Sequence, residues 1–281
     1  MLALRPLLRR PLLSLAAIAT LAVGVGAATT AFTLAHAVLS PLPYPHPDAL
    51  VRLYDTADEL KTSPNPRLAA IWNRLPVSYR NAVDWRQGAR SLTAIGLYAS
   101  ATAVLEAGGE PEDVPVSRLD AELLRVLGVP PLLGRAFRSE EVAHHERVAL
   151  LSHPLWTGAF GGSRTVLGRA LRLDGRLYTI VGVMPAGFAL PGRQDLLWIP
   201  AVPSDDDLTQ RDSHAYTAIG RLAPGAAIAS ARADLQRIAA RLAAAYPQTN
   251  RGAGVRTEPL LDTVVGDGRH PLVLFSIAAL V

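Results

Sequence analysis

The chain has 281 residues, 49% of them hydrophobic and 19% charged, with a formal net charge of +4. It has no cysteine, which excludes disulfides, thiolate metal sites, a cysteine nucleophile and an acylated-Cys lipoprotein anchor. The pI is near 9.7, yet the basic residues are scattered among acids and no Lys/Arg run follows Arg9-Arg10, so nucleic acid is not an expected partner. Lys61 is the sole lysine; that bias, with abundant Ala, Leu and Pro, reads as the coding of a GC-rich genome.

Mean hydropathy is +0.21, and the apolar excess sits at the two ends. Arg5, Arg9 and Arg10 are followed by no formally charged residue until Asp48. The stretch Leu12–Leu39 exceeds the roughly 20 apolar residues that cross a bilayer as a helix. A cleaved signal peptide is the rival reading, supported by the basic start and by Ala35-His36-Ala37. A signal core is only about 7–15 residues long, so a retained span is expected. Three arginines precede it and only Arg52 closely follows, which places the N-terminus in the cytoplasm and residues from Tyr44 onward outside. Ala22/Gly26 and Gly24/Ala28 have the small-residue spacing of close helix contacts, a pattern an Ala-rich span also produces by chance. His36 falls near the outer interface.

The run of prolines from Pro41 to Pro47 ends the first helix and predicts an extended exit. Leu50–Tyr54 reads as a strand and polar Asp55–Leu75 as a mobile loop. Ser78 caps a predicted helix reaching Gly88. Leu92–Leu105 reads as one or two strands and Val114–Leu119 as another. Asp120 caps a short helix, Ala121–Leu127, which Gly128 ends. Val148–Leu151 reads as a buried strand, and His153–Phe160 as a helix closed by Gly161-Gly162. Ala170–Leu173 and Leu177–Val183 flank Asp174-Gly175, the signal of a type I′ hairpin. Ala215–Leu222 is a further strand. Ile228, Ala231, Leu235, Ile238 and Leu242 step by three and four, predicting a helix over Ile228–Tyr246 that Pro247 stops. Gly254–Leu260 reads as a last strand. Pro271–Val281 is uncharged and too short to span, so it is expected to begin a second transmembrane helix in a fragment of a longer polytopic protein. The expected class is α+β: residues 1–42 cytoplasmic N-terminus and first span, 43–269 a mixed α/β extracytoplasmic domain of two subdomains, and 270–281 the interrupted second span.

No residue set carries catalysis, a cofactor or a metal. There is no P-loop, because Lys61 lies in Leu60-Lys61-Thr62, and no G-x-S-x-G. Gly161-Gly162-Ser163 reads as a helix-ending turn. His144-His145-Glu146 is the densest ligand cluster, but adjacent residues diverge on any regular element and no H-E-x-x-H follows. Asp205-Asp206-Asp207 lacks the spacing of a calcium loop and reads as a solvated turn. Trp72, Trp85, Trp156 and Trp198 are scattered and expected in cores or at a subdomain interface. A binding or mechanical domain is expected rather than an enzyme.

Taken in order, several segments resemble ABC-transporter permeases of the MacB/FtsX-like type: Leu7–Thr30 leading into Pro41–Pro45, Val77–Arg90 with Asp84-Trp85, Leu123–Gly134, Val148–Gly168, Leu171–Pro191, Ala218–Pro259 and Val265–Asp267. Each is weak alone; their ordered set covers nearly the whole chain. The resemblance implies a MacB-like periplasmic core domain between the first two spans of a bacterial inner-membrane permease used in efflux. It implies a separate cytoplasmic ABC ATPase, a second permease copy or half, a periplasmic adaptor and the lipid bilayer as partners. An FtsX-like regulator that activates a periplasmic cell-wall hydrolase is the alternative.

Overall fold

The computed structural model describes residues 20–22, 24–26, 42–107 and 110–265. Residues 20–22 and 24–26 are helical and belong to a separate unit from Leu42–Val264. The remainder of the first predicted span, and residues 270–281, lie outside the described residues. Among the described residues no helix is long and apolar enough to cross a membrane.

Within Leu42–Val264 the strands are β1 (Leu50–Ala57), β2 (Val77–Ser78), β3 (Leu92–Glu106), β4 (Glu112–Leu119), β5 (Leu133–Gly134), β6 (Val148–Leu151), β7 (Ala170–Leu173), β8 (Arg176–Val183), β9 (Leu197–Pro200), β10 (His214–Leu222) and β11 (Ala253–Pro259). The helices are α1 (Pro66–Ile71), α2 (Tyr79–Gly88), α3 (Leu123–Leu127), α4 (Ser139–Ala143), α5 (His153–Phe160), α6 (Asp205–Thr209), α7 (Ile228–Ala245) and α8 (Leu260–Val265). One mixed sheet runs β11-β1-β10-β3-β4-β9-β6-β8-β5. This is the mixed α/β core expected of the sequence.

The first half is an open antiparallel sheet, β11-β1-β10-β3, covered on one face by α2 and α7. Its alternation is that of a half-buried sheet: Val51 and Leu53 of β1 and Ala218 of β10 meet Trp85 of α2 and Ala231, Leu235, Ile238 and Leu242 of α7 in one cluster. The three-and-four stepping of α7 thus becomes its buried stripe. Ser78 accepts from Asn81 N–H and caps α2.

β3 is a single strand of 15 residues. Its first part pairs with β10 and its second with β4, both partners meeting at Tyr98. Beyond Tyr98 the pairing closes on itself. β3, β4, β9, β6 and β8 follow in order, and β7 pairs with both β8 and the end of β3, giving a six-stranded ring. The period-2 pleat puts Ala103, Val114, Val116, Leu197, Ala149, Leu151, Ile180, Leu171 and Leu173 in its interior. Register supports this: Ala103 faces Val114, Val116 faces Leu197, Leu151 faces Leu197 and Ala149 faces Ile180. The alternate positions, Leu119, Leu150 and Trp198, face outward into a third cluster with α3, Leu50 and Ile219. Leu42–Val264 is one compact unit, in which the open half and the ring are two lobes of one sheet that share β3 and have separate apolar clusters.

Several local expectations change. Asp55–Leu75 is not a loop throughout: β1 continues to Ala57, Asp55 is buried, and Asn65 with Pro66 starts α1. Asp205-Asp206-Asp207 is the first turn of α6, where Ser204 and Asp207 form a capping box, because a carboxylate at the third position can return to the cap N–H. The last strand ends at Pro259, and Leu260 begins α8. Asp120 still accepts from Leu123 N–H, but α3 starts at Leu123 rather than Ala121.

Candidate functional site

The described domain begins and ends at the same place. Leu42, Tyr44 and Leu260 are buried in one cluster with Leu50 of β1, Ile219 of β10 and the outer wall of the ring at Leu150 and Trp198. Pro43, Pro45 and Pro47 keep the incoming segment extended, and two side chains fasten it. The Tyr44 hydroxyl donates to the Ala189 carbonyl at 2.6 Å. Its ring meets Phe188 edge-on at 6.5 Å, and Phe188 meets Trp198 at 5.1 Å. From β10, Arg221 Nε donates to the Val126 carbonyl of α3 at 2.7 Å, and its terminal nitrogen donates to the Pro45 carbonyl at 3.1 Å. Burial, with the nearby Tyr98, pushes the Tyr44 phenol well above its usual range, so it stays a donor. Burial alone lowers Arg221 from its ordinary value. The arrangement is a clamp that cross-links the incoming segment, β10 and α3 through carbonyl oxygens.

α3 is held to the sheet at its other end. The Asp120 carboxylate accepts from Leu97 N–H at 2.8 Å and Leu123 N–H at 2.9 Å, and pairs with Arg86 of α2. Burial pushes its pKa up, against the opposing pull of Arg86 and the N–H donors. Away from this edge, Arg211 joins Asn81 at 3.1 Å and Asp84 at 2.7 Å while covering the Tyr246 ring at 3.9 Å. Asn250 donates to the same Asn81 oxygen at 3.1 Å. This ties α2 to the end of α7.

The residues singled out in the sequence do not assemble. His144-His145-Glu146 follows α4 and is exposed. Asp207 lies apart in its capping box, accepting also from Ser213 and Tyr216. Gly161 and Gly162 take positive φ and end α5, as a turn requires. Lys61 sits over the Trp72 ring at 4.1 Å. Trp85 and Trp198 are core residues of different clusters, and Trp156 packs against the ring interior. Among the described residues, no group of three or more His, Cys, Asp or Glu is placed to hold a metal ion. Sequence reasoning missed Tyr44 and Arg221. Tyr44 was visible inside the proline run but read as part of an extended exit; Arg221 carries no local signal.

The family described as "MacB-like periplasmic core domain" matches residues 14–238. Three solved structures share the fold. The extracellular domain of the noncanonic ABC-type transporter YknZ from Gram-positive bacteria has a TM-score of 0.52 at 14% identity, covering 74% of this chain and 99% of that one. A domain of a putative permease from Porphyromonas gingivalis gives 0.57 at 16%, covering 77% and 92%. The periplasmic region of MacB from Actinobacillus actinomycetemcomitans gives 0.55 at 12%, covering 83% and 98%. No curated protein matches. With most of its length inside the family match, the chain belongs to the MacB-like periplasmic core domain family of ABC-type transporter permeases.

Proposed function

We propose that residues 42–264 form the extracytoplasmic relay of an ABC permease that acts in efflux. A separate cytoplasmic ATPase drives the permease, which works with a second permease copy and a periplasmic adaptor. The N-terminus is cytoplasmic, and a helix over Leu12–Leu39 anchors the chain in the bacterial inner membrane. The domain itself performs no covalent chemistry. The observation that carries this reading is the shared clamp at one edge: Leu42, Tyr44 and Leu260 lie in the cluster that also holds the outer wall of the ring and one face of the open sheet. Displacement of either flanking segment would reach both lobes directly.

The test is affinity capture of the full-length protein from its native membranes. Recovery of a P-loop ATPase with an adaptor supports the relay, and recovery of no such ATPase counts against it. Capture of a cell-wall hydrolase in place of an adaptor would move the reading to an FtsX-like regulator. A periplasm-active reporter inserted near Asp207 should be active; cytoplasmic activity there would reverse the orientation.

A further inference from the structure

The six-stranded ring is filled by apolar residues, but one of its ends is not. Along each strand the pleat carries the interior-facing positions one step past the apolar layer. On β4 that step goes from Val116 to Arg118, on β9 from Leu197 to Ile199 and on β8 from Ile180 to Tyr178 and then Arg176. Before β6 it goes from Ala149 to Arg147. The parallel pairing of β4 with β9 and of β6 with β8 sets these steps at one end of the ring. There they line a single polar cavity of about 570 Å³. Tyr178 and Ile199 pack against the apolar interior and form its floor. The three arginines are exposed.

None of these three guanidinium groups makes a hydrogen bond or ion pair with another described residue, whereas Arg86, Arg135, Arg193 and Arg211 all face carboxylates. Two acids share the wall. Asp174 Oδ1 is already engaged with Val104 N–H at 2.8 Å, and neither it nor Glu146 pairs with the three arginines. Like charges gathered in a concave site repel one another, and a bound anion relieves that repulsion. Barrel mouths are a common place for small-ligand sites. A carboxylate has two oxygens and is satisfied by one guanidinium fork. Three forks suit a tetrahedral group with three or more free oxygens. The cavity also leaves room beside such a group for an organic body against Tyr178 and Ile199.

We propose that the ring mouth binds a ligand bearing a phosphate group, held by Arg118, Arg147 and Arg176. The phosphate can be carried by a free metabolite or by a lipid headgroup. The proposal does not depend on the relay reading. It is tested by titrating the full chain in neutral detergent micelles with inorganic pyrophosphate and, separately, with dihexanoyl phosphatidate below its micellar concentration. Each Arg→Gln change at the three positions is expected to weaken binding about tenfold, the worth of a charge-assisted contact. R164Q, at an exposed arginine outside the cavity, should leave binding unchanged. Affinity should fall as salt rises. Binding of pyrophosphate lost in the R118Q/R147Q/R176Q variant supports a free phosphate ligand. Binding of the phosphatidate alone, lost in the same variant, supports the lipid form. Absence of millimolar binding by either probe, or equal binding in the triple variant, overturns the proposal. Circular dichroism of each variant separates lost binding from lost fold.

Discussion

Replacing Gly96 by Ala tests how closely α3 lies on β3. A Cβ at Gly96 would stand 2.5 Å from Leu123 Cα and 3.0 Å from Leu123 Cβ. Carbon atoms in good contact are about 3.5–4.0 Å apart, so α3 would have to retreat by about 1 Å. It has little freedom to do so, because Leu123, Leu124, Val126 and Leu127 are all buried and Asp120 pins its first turn. Overpacking of this kind costs about 1–3 kcal/mol, sometimes more; with a backbone atom as the obstacle, the upper end, about 3 kcal/mol, is expected. That is a large share of a typical stability of about 5–15 kcal/mol. G158A in α5 is the matched control, since nothing lies within 4 Å of the added methyl. There the helix propensity of Ala should raise stability by about 0.5–1 kcal/mol. Denaturant unfolding of the full chain in micelles, followed by tryptophan fluorescence, reports both; Trp85 and Trp198 are fully buried in separate clusters. A G96A variant within about 0.5 kcal/mol of the parent would refute the close approach of α3, since ordinary surface changes stay within that range.

Y44F removes the donor to Ala189 and leaves that carbonyl unpaired, which should cost about 1–3 kcal/mol in the same assay; no measurable change would mean the clamp does not hold the incoming segment. His214 Nδ1 lies 3.2 Å from Asp55 and 3.0 Å from the Pro76 carbonyl. Burial disfavours its charge, but the bond and charge of Asp55, together with the Pro76 carbonyl and the charge of Asp212, outweigh this and raise its pKa. Its contribution is therefore fully present below the unfolded value of about 6.5 and lost as pH rises through the higher folded value. Stability measured from pH 5.5 to 8.5 should fall more in the parent than in H214Q, and parallel profiles would exclude the pairing. Burial raises the Asp207 pKa, but bonds from Ser204, Tyr216 and Ser213 more than reverse it, leaving a net lowering. Its contribution is present above an unfolded value of about 3.9 and lost as pH falls through the folded one. D207N should cost about 1–3 kcal/mol at pH 7, since an amide brings donors to a site of donors; retained stability would argue against the capping box.

What the sequence made legible was local. Ser78 before α2, the Asp174-Gly175 turn with φ of 48° and 70°, the glycines after α5 and the apolar stripe of α7 each encode their own structure within a few residues. Asn65-Pro66 and Ser204-x-x-Asp207 carried similar signals that composition masked, one inside a polar stretch and the other inside an acidic run. The rest depends on partners distant in the chain. β2, β5 and β9 have two to four residues each and are strands only because β10, β8 and β4 lie beside them. Ring closure rests on Leu105 and Glu106 meeting Leu173 and Arg172, a pairing no periodicity announces. For the same reason the clamp at Tyr44 and the mouth arginines stayed hidden. Each of those side chains is ordinary until topology gathers it with the others.

β3 decides whether the two lobes move as one. It spans both, and at about 3.3 Å per residue its 15 residues reach nearly 50 Å. From Leu92 to Tyr98 it is paired with β10, with one irregularity at Thr93, and from Tyr98 to Leu105 with β4, so the pairing is continuous through Tyr98. A strand held this way cannot bend sharply at Tyr98 without breaking pairs in both lobes. Tyr98 is also 3% exposed, which leaves no loose packing there to form a hinge. The domain between Leu42 and Val264 is therefore expected to act as one stiff body. Native-state hydrogen exchange measures this directly. Amides bonded to β10 on the first part of β3 and those bonded to β4 on the second should open with the same free energy, because one cooperative event releases both. A difference above about 2 kcal/mol between the two halves, larger than the worth of a typical hydrogen bond, would mean that the lobes open separately and that β3 does not make them one body.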